Sequence, residues 1–184
     1  MNFLKTPQNL SALCHKQAAR HTAKNNTHKL LLSLFALLLL IPVSYAEART
    51  TLENVLKLKS APAGVIIEIV TDDEDSLEWA LPRAEEYIQQ LREKFPDLPL
   101  AIVSHGPEQF ALTENNQQEN KEIHQLVKSL GKVDVPVHIC ETFAGWRGLA
   151  AEDFPDHVNV AAAGPAQVND YIAIGYELII IDEE

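Results

Sequence analysis

Residues 64–104 read GVIIEIVTDDEDSLEWALPRAEEYIQQLREKFPDLPLAIVS, and this stretch decides the fold. Gly64–Val70 is β-branched and mostly apolar, the composition of a buried strand. Thr71–Ser76 is a polar loop rich in residues that cap helix N-termini. From Leu77 to Phe95 the apolar period changes to that of a helix, with Leu77, Leu81, Ala84, Ile88 and Leu91 on one face. Pro82 either kinks this helix or marks a late start. Pro99–Ser104 returns to an apolar strand, closed by His105-Gly106-Pro107.

The same alternation continues to the C-terminus. Glu108–Leu112 predicts a helical turn, and Gln117–Leu130 a helix with Ile123, Leu126, Val127 and Leu130 inward and Gly131 as its stop. Val135–Cys140 is the third strand, Phe143–Leu149 a turn or short helix, and Val158–Ala162 a short fourth strand. Pro165–Ile174 predicts a helix with proline in its first turn and Gly175 beyond its end, and Tyr176–Ile181 a last strand. Alternating strands and helices specify a three-layer α/β/α domain whose mainly parallel sheet has about five strands. In such sheets ligands bind beyond the carboxyl ends of the strands. Four loops should gather there: Thr71–Ser76, His105–Pro107, Cys140–Trp146 and Ala162–Pro165.

Upstream of this domain the chemistry changes. Residues 1–46 contain five basic residues and no acid, whereas all 26 acids and ten basic residues lie in 47–184. Basic residues precede the apolar run Leu30–Ile41, Pro42 ends it, and Ser44-Tyr45-Ala46 suits signal peptidase. The run is shorter than the ~20 residues that span a bilayer. Residues 1–46 are therefore expected to be a signal peptide cleaved after Ala46, and the mature chain a periplasmic protein with no membrane segment. An uncleaved anchor is the alternative. Residues 47–62 read as an N-terminal helix and linker, with a short helix over Thr51–Leu58, and residues 63–184 as the α/β domain. The excess of acid argues against a nucleic-acid partner.

Cys14 leaves with the leader, so Cys140 is the one cysteine of residues 47–184. It ends a strand and precedes a helical turn, where unpaired N–H groups favour thiolate. Arg147 is near in sequence and would assist with an anion, while Glu141 opposes thiolate formation. The alternative is an inert core cysteine. His105 ends another strand at the same edge, and suits holding a thiolate or passing a proton as well as a plain loop role. His138 shares a strand face with Cys140, but two residues fall short of the three or four ligands a zinc site needs, so no metal is expected. The acids Asp72–Asp75 read as a divalent-cation site or, more simply, a solvated capping loop. Gly164-Pro165 opens a helix whose N–H groups suit an anion. Phe143 and Trp146 wall a pocket or simply pack. No CxxC, GxGxxG, P-loop or G-x-S-x-G pattern is present.

The segments GVIIEIV, AIVSHGP, VPVHICETFAGWRGLAAEDFP and VNVAAAGPAQVNDYIAIGYELIII, in that order, resemble the DsrE/DsrF-like sulfur-relay family of YchN-like fold. The resemblance spans Gly64 to Ile181. It implies a homo-oligomer, trimer or hexamer, and a cysteine after the third main strand that carries sulfane sulfur as a persulfide. Here that residue is Cys140, and His105 matches the family's histidine after the second strand. The resulting expectation is a sulfurtransferase-like carrier with Cys140 and His105 as reacting residues and Arg147 and Gly164 contacting substrate. It needs no cofactor and exchanges sulfur with a donor or acceptor protein. The alternative is a non-catalytic module that binds a small ligand or a partner.

Overall fold

Each β-branched run becomes a strand, and every strand pairing is parallel. The computed structural model describes residues 49–182; the leader expected over 1–46 lies outside them. The strands are β1 (Arg49–Thr50), β2 (Gly64–Ile69), β3 (Leu100–Ser104), β4 (Val137–Cys140), β5 (Asn159–Ala161) and β6 (Tyr176–Ile181). They form a six-stranded sheet in the order β1-β6-β2-β3-β4-β5. The helices are α1 (Leu52–Lys57), α2 (Leu77–Lys94), α3 (Lys121–Gly131), α4 (Glu141–Gly145) and α5 (Gly164–Ala173). Among the described residues no helix is long and apolar enough to cross a membrane.

The two faces of the sheet are covered unequally. On one face, Val65, Ile67 and Ile69 of β2, Ile102 of β3 and Ile139 of β4 pack under α2 and α3 in the larger core. Leu77, Ala80, Leu81, Ala84, Ile88 and Leu91 of α2 are all buried there. Each large side chain among them contributes roughly 1.5–3 kcal/mol of burial. On the other face Ile66, Ala101, Val103 and Leu178 pack against Val168 of α5. Period-2 alternation therefore places His138 and Cys140 of β4 on the α5 face, opposite Val137 and Ile139.

The sheet has one strand more than the sequence predicts. Arg49 and Thr50 pair with Leu178 and Ile179, so the segment read as linker also supplies an edge strand. Two residues are too few for any periodic signal. Pro82 sits inside α2 without ending it. Gly131 is the last residue of α3 rather than its left-handed terminator. The turn continues until the Val135 N–H reaches the Leu130 carbonyl at 3.0 Å, and the residue with positive φ is Asp134, at 57°. A short polar side chain tolerates that conformation. α3 also starts later than expected, after a 3₁₀ turn at Glu114–Asn116 in which the Asn116 side chain bonds the Phe110 carbonyl. At the end of α5, Gly175 takes φ 92° as its position demands.

Candidate functional site

The parallel order brings the carboxyl ends of β2, β3, β4 and β5 to one edge, and the four loops expected there are tied to one another. Residues 107–112 form a 3₁₀ turn that acts as their hub. Glu108 in this turn is fully buried. Its Oε1 accepts from Ser104 Oγ at 2.8 Å and from the Gly106 N–H at 2.9 Å. Its Oε2 accepts from the Thr71 N–H at 3.2 Å and faces Thr71 Oγ1 at 3.1 Å. The Glu108 carboxyl is thus held by donors from the end of β3 and from the loops after β2 and β3.

Gln109 is equally buried and turns to the next strand. Its Oε1 accepts from the Cys140 N–H at 2.8 Å, and its Nε2 donates to the Cys140 carbonyl at 3.4 Å. Cys140 is 3% exposed and has extended backbone angles, φ −98° and ψ 109°. It serves as the N-cap of α4, its Sγ accepting from the Phe143 N–H at 3.4 Å. Two residues on, Thr142 closes the β4 loop against β5, its Oγ1 donating to the Ala162 carbonyl at 2.7 Å.

His105 follows Ser104, whose register partner is Ile139, and Cys140 follows Ile139. The two candidate residues therefore leave adjacent strands at the same level. The imidazole contact runs the other way along the sheet: Nε2 donates to Glu68 Oε1 of β2 at 2.7 Å, with both side chains about 15% exposed or less. In a neutral imidazole this contact places the proton on Nε2 and leaves Nδ1 as the acceptor nitrogen. Gly164 lies against the same histidine. A Cβ there would fall 2.3 Å from His105 Cβ and 2.7 Å from its Cγ, so only glycine admits this packing.

Arg147 is placed outside this group. Its guanidinium pairs with Glu74 of the β2 loop and lies over the Phe110 ring, 4.1 Å from the centroid. Phe110 packs on Phe143 at 5.7 Å and Phe143 on Trp146 at 5.2 Å, leaving Trp146 exposed at the rim. Asp72–Asp75 are exposed, and Asp73 accepts the Asp75 N–H at 3.2 Å, the capping arrangement rather than a converging ligand set. Among the described residues no group of three or more His, Cys, Asp or Glu is placed to hold a metal ion. His138 Nε2 lies 3.0 Å from Tyr171 Oη, and burial lowers the imidazole pKa and raises that of the phenol.

Three residues of the site were not singled out from sequence. Glu68 carried a signal, a carboxylate in the middle of an apolar central strand that requires a partner. Glu108 and Gln109 carried none, since polar residues after a Gly-Pro turn are ordinary on a surface.

A parallel α/β domain with a capped cysteine at the strand ends defines the class. A model of the DsrE/DsrF-like family matches residues 79–180, more than half the chain, and the chain belongs to that family. Among solved structures, a protein of unknown function, MTH1491 from Methanobacterium thermoautotrophicum, superposes with a TM-score of 0.53 at 14% identity, covering 64% of this chain and 99% of that one. The ychN protein from E. coli gives a TM-score of 0.46 at 20% identity, with the same coverages. At these identities the first likeness bears on the fold alone. A comparison with curated proteins gives no match.

Proposed function

We propose that this chain is an exported sulfur-relay protein that carries sulfane sulfur as a persulfide on Cys140. The observation that carries the reading is the setting of the thiol. Cys140 ends a strand at the ligand edge of a DsrE/DsrF-like fold, and its sulfur already accepts the Phe143 amide N–H at the start of a helical turn. His105, tethered through Nε2 to Glu68 and leaving the adjacent strand at the same level as Cys140, is the group assigned to take the thiol proton. The thiolate attacks the terminal sulfur of a donor persulfide, RS–SH. The Cys140 S–S bond forms as the RS–SH bond breaks, the thiolate RS⁻ leaves with the electron pair, and the proton stays on the transferred sulfur. No net redox change occurs, so neither a resolving cysteine nor a cofactor is needed. Transfer to an acceptor thiol reverses the step. Arg147 and Gly164 serve an anionic donor from the rim and from the start of α5. The export leader places this chemistry in the periplasm after cleavage at Ala46, and the chain works as a homo-oligomer, trimer or hexamer.

The test is the intact mass of residues 47–184, isolated without reductant and then exposed to polysulfide, beside the Cys140→Ala variant. A sulfur adduct on the wild type that reductant removes and the variant lacks is the expected result. A thiol that takes up no sulfur and also resists alkylation in the folded state would overturn the reading.

A further inference from the structure

The β3–β4 ladder ends at Ser104 and Ile139. Beyond it β3 turns off into His105-Gly106-Pro107, and Cys140 has no strand partner on that side. Its backbone amide would be a buried orphan, at a cost of roughly 1–3 kcal/mol. Gln109 fills the vacancy with a side chain, bonding both the N–H and the carbonyl of Cys140 as a neighbouring strand would. The carboxamide is fully buried, and Glu108 anchors the turn that carries it to the loops after β2 and β3. The peptide so clamped is the one that begins α4, and its orientation decides whether Sγ stays within reach of the Phe143 N–H.

We infer that Gln109 is a positioning residue for Cys140, its buried carboxamide holding the strand-to-helix junction so that the sulfur remains on the Phe143 amide. The inference rests on the reading of Cys140 as a sulfur carrier only for its biological meaning, because thiol reactivity is measured without it. The titratable and charged groups at this end of the sheet include His105 after β3, His138 on the same strand face, Glu68 beside His105, Glu141 next in the chain, Glu108 beside Gln109 in the hub turn, the acids Asp72–Asp75 of the β2 loop, and Arg147 paired with Glu74. None is changed by altering Gln109.

Gln109→Leu keeps the volume and removes both bonds. Gln109→Asn keeps an amide but withdraws it by one methylene, and supplies the test if the leucine variant does not fold. Three quantities are compared with wild type in residues 47–184: the pH midpoint of Cys140 alkylation by iodoacetamide, the pH titration of the Phe143 amide resonance, and persulfide uptake from polysulfide. The expected result is slower alkylation near neutral pH than in wild type, a midpoint displaced from the wild-type one, and a Phe143 resonance that no longer follows the thiol. A variant with a lower urea midpoint but an unchanged alkylation midpoint and an unchanged Phe143 titration would overturn the inference, because Gln109 would then be structural only. Persulfide uptake separates the two readings. Wild type without uptake but with a midpoint that depends on Gln109 sinks the relay and keeps the positioning role. Uptake in every variant at wild-type rate, with an unmoved midpoint, does the reverse.

Discussion

Replacing Glu108 tests whether the hub of the site is held by donor count or by charge. The carboxylate is fully buried and faces four donor groups: Ser104 Oγ, the Gly106 N–H, the Thr71 N–H and Thr71 Oγ1. In Glu108→Ala the two hydroxyls can turn elsewhere, but the two backbone N–H groups cannot. Each orphan costs about 1–3 kcal/mol, and relief of a buried charge returns part, for a net loss of about 2–4 kcal/mol. In Glu108→Gln the amide oxygen can still serve Ser104 and Gly106. The NH₂ then confronts the Thr71 N–H, a single orphan worth about 1–3 kcal/mol, while the Thr71 hydroxyl reverses to accept. Urea unfolding followed by circular dichroism reads both losses. With a slope of ~1–3 kcal/mol per molar, the alanine midpoint should fall by about 1–2 M and the glutamine midpoint by roughly half that. An alanine midpoint equal to wild type would refute the hub. A glutamine midpoint falling as far as alanine would show that the charge, not the number of donors, holds the loops.

Gly164→Ala should cost about 1–3 kcal/mol through overpacking against His105 and shift the His105 ring resonances, whereas Gly131→Ala, with open space around it, should be neutral or stabilising in the same thermal melt. Acid should weaken the fold through three imidazoles, His124, His138 and His157, whose pKa values are lowered chiefly by burial. The unfolded chain then binds more protons, so their contribution is complete above the ordinary histidine range near pH 6.5 and falls as pH drops through it toward the lower folded values. Urea midpoints between pH 8 and 5 should show that fall, and His124→Gln should flatten it. Arg147→Met should change stability by less than about 1 kcal/mol, because its pair with Glu74 is half exposed, and a larger loss by denaturation would show that the pair is structural.

The long elements were legible because each buries one periodic stripe. α2 and the strands β2, β3, β4 and β6 lie within a residue or two of where Leu77–Phe95 and the β-branched runs put them. β1 was not, since two residues have no period. The turn at Gly131 misled because glycine marks a helix end only where the chain needs φ > 0, and here the need falls on Asp134. The meeting of Cys140 and His105 at one edge followed from the parallel topology alone. Glu108 and Gln109 were invisible because half of Glu108's partners and both of Gln109's are backbone groups, which carry no sequence signature, and no side-chain type at Thr71 or Cys140 announces an acceptor waiting there.

The strand order has a consequence for the time course of synthesis. β2 is flanked by β3 on one side and by β6 on the other, Gly64 lying beside Tyr176. β1 in turn rests on β6. The strand that completes the middle of the sheet is thus the last of the six described strands to be synthesised, and until it arrives β2 keeps one edge of unpaired amides. A chain truncated before Tyr176 should therefore stay incompletely folded and open to chaperones. Synthesis of Tyr176–Ile181, rather than any earlier event, is what allows the Glu68 strand to be sealed into the sheet.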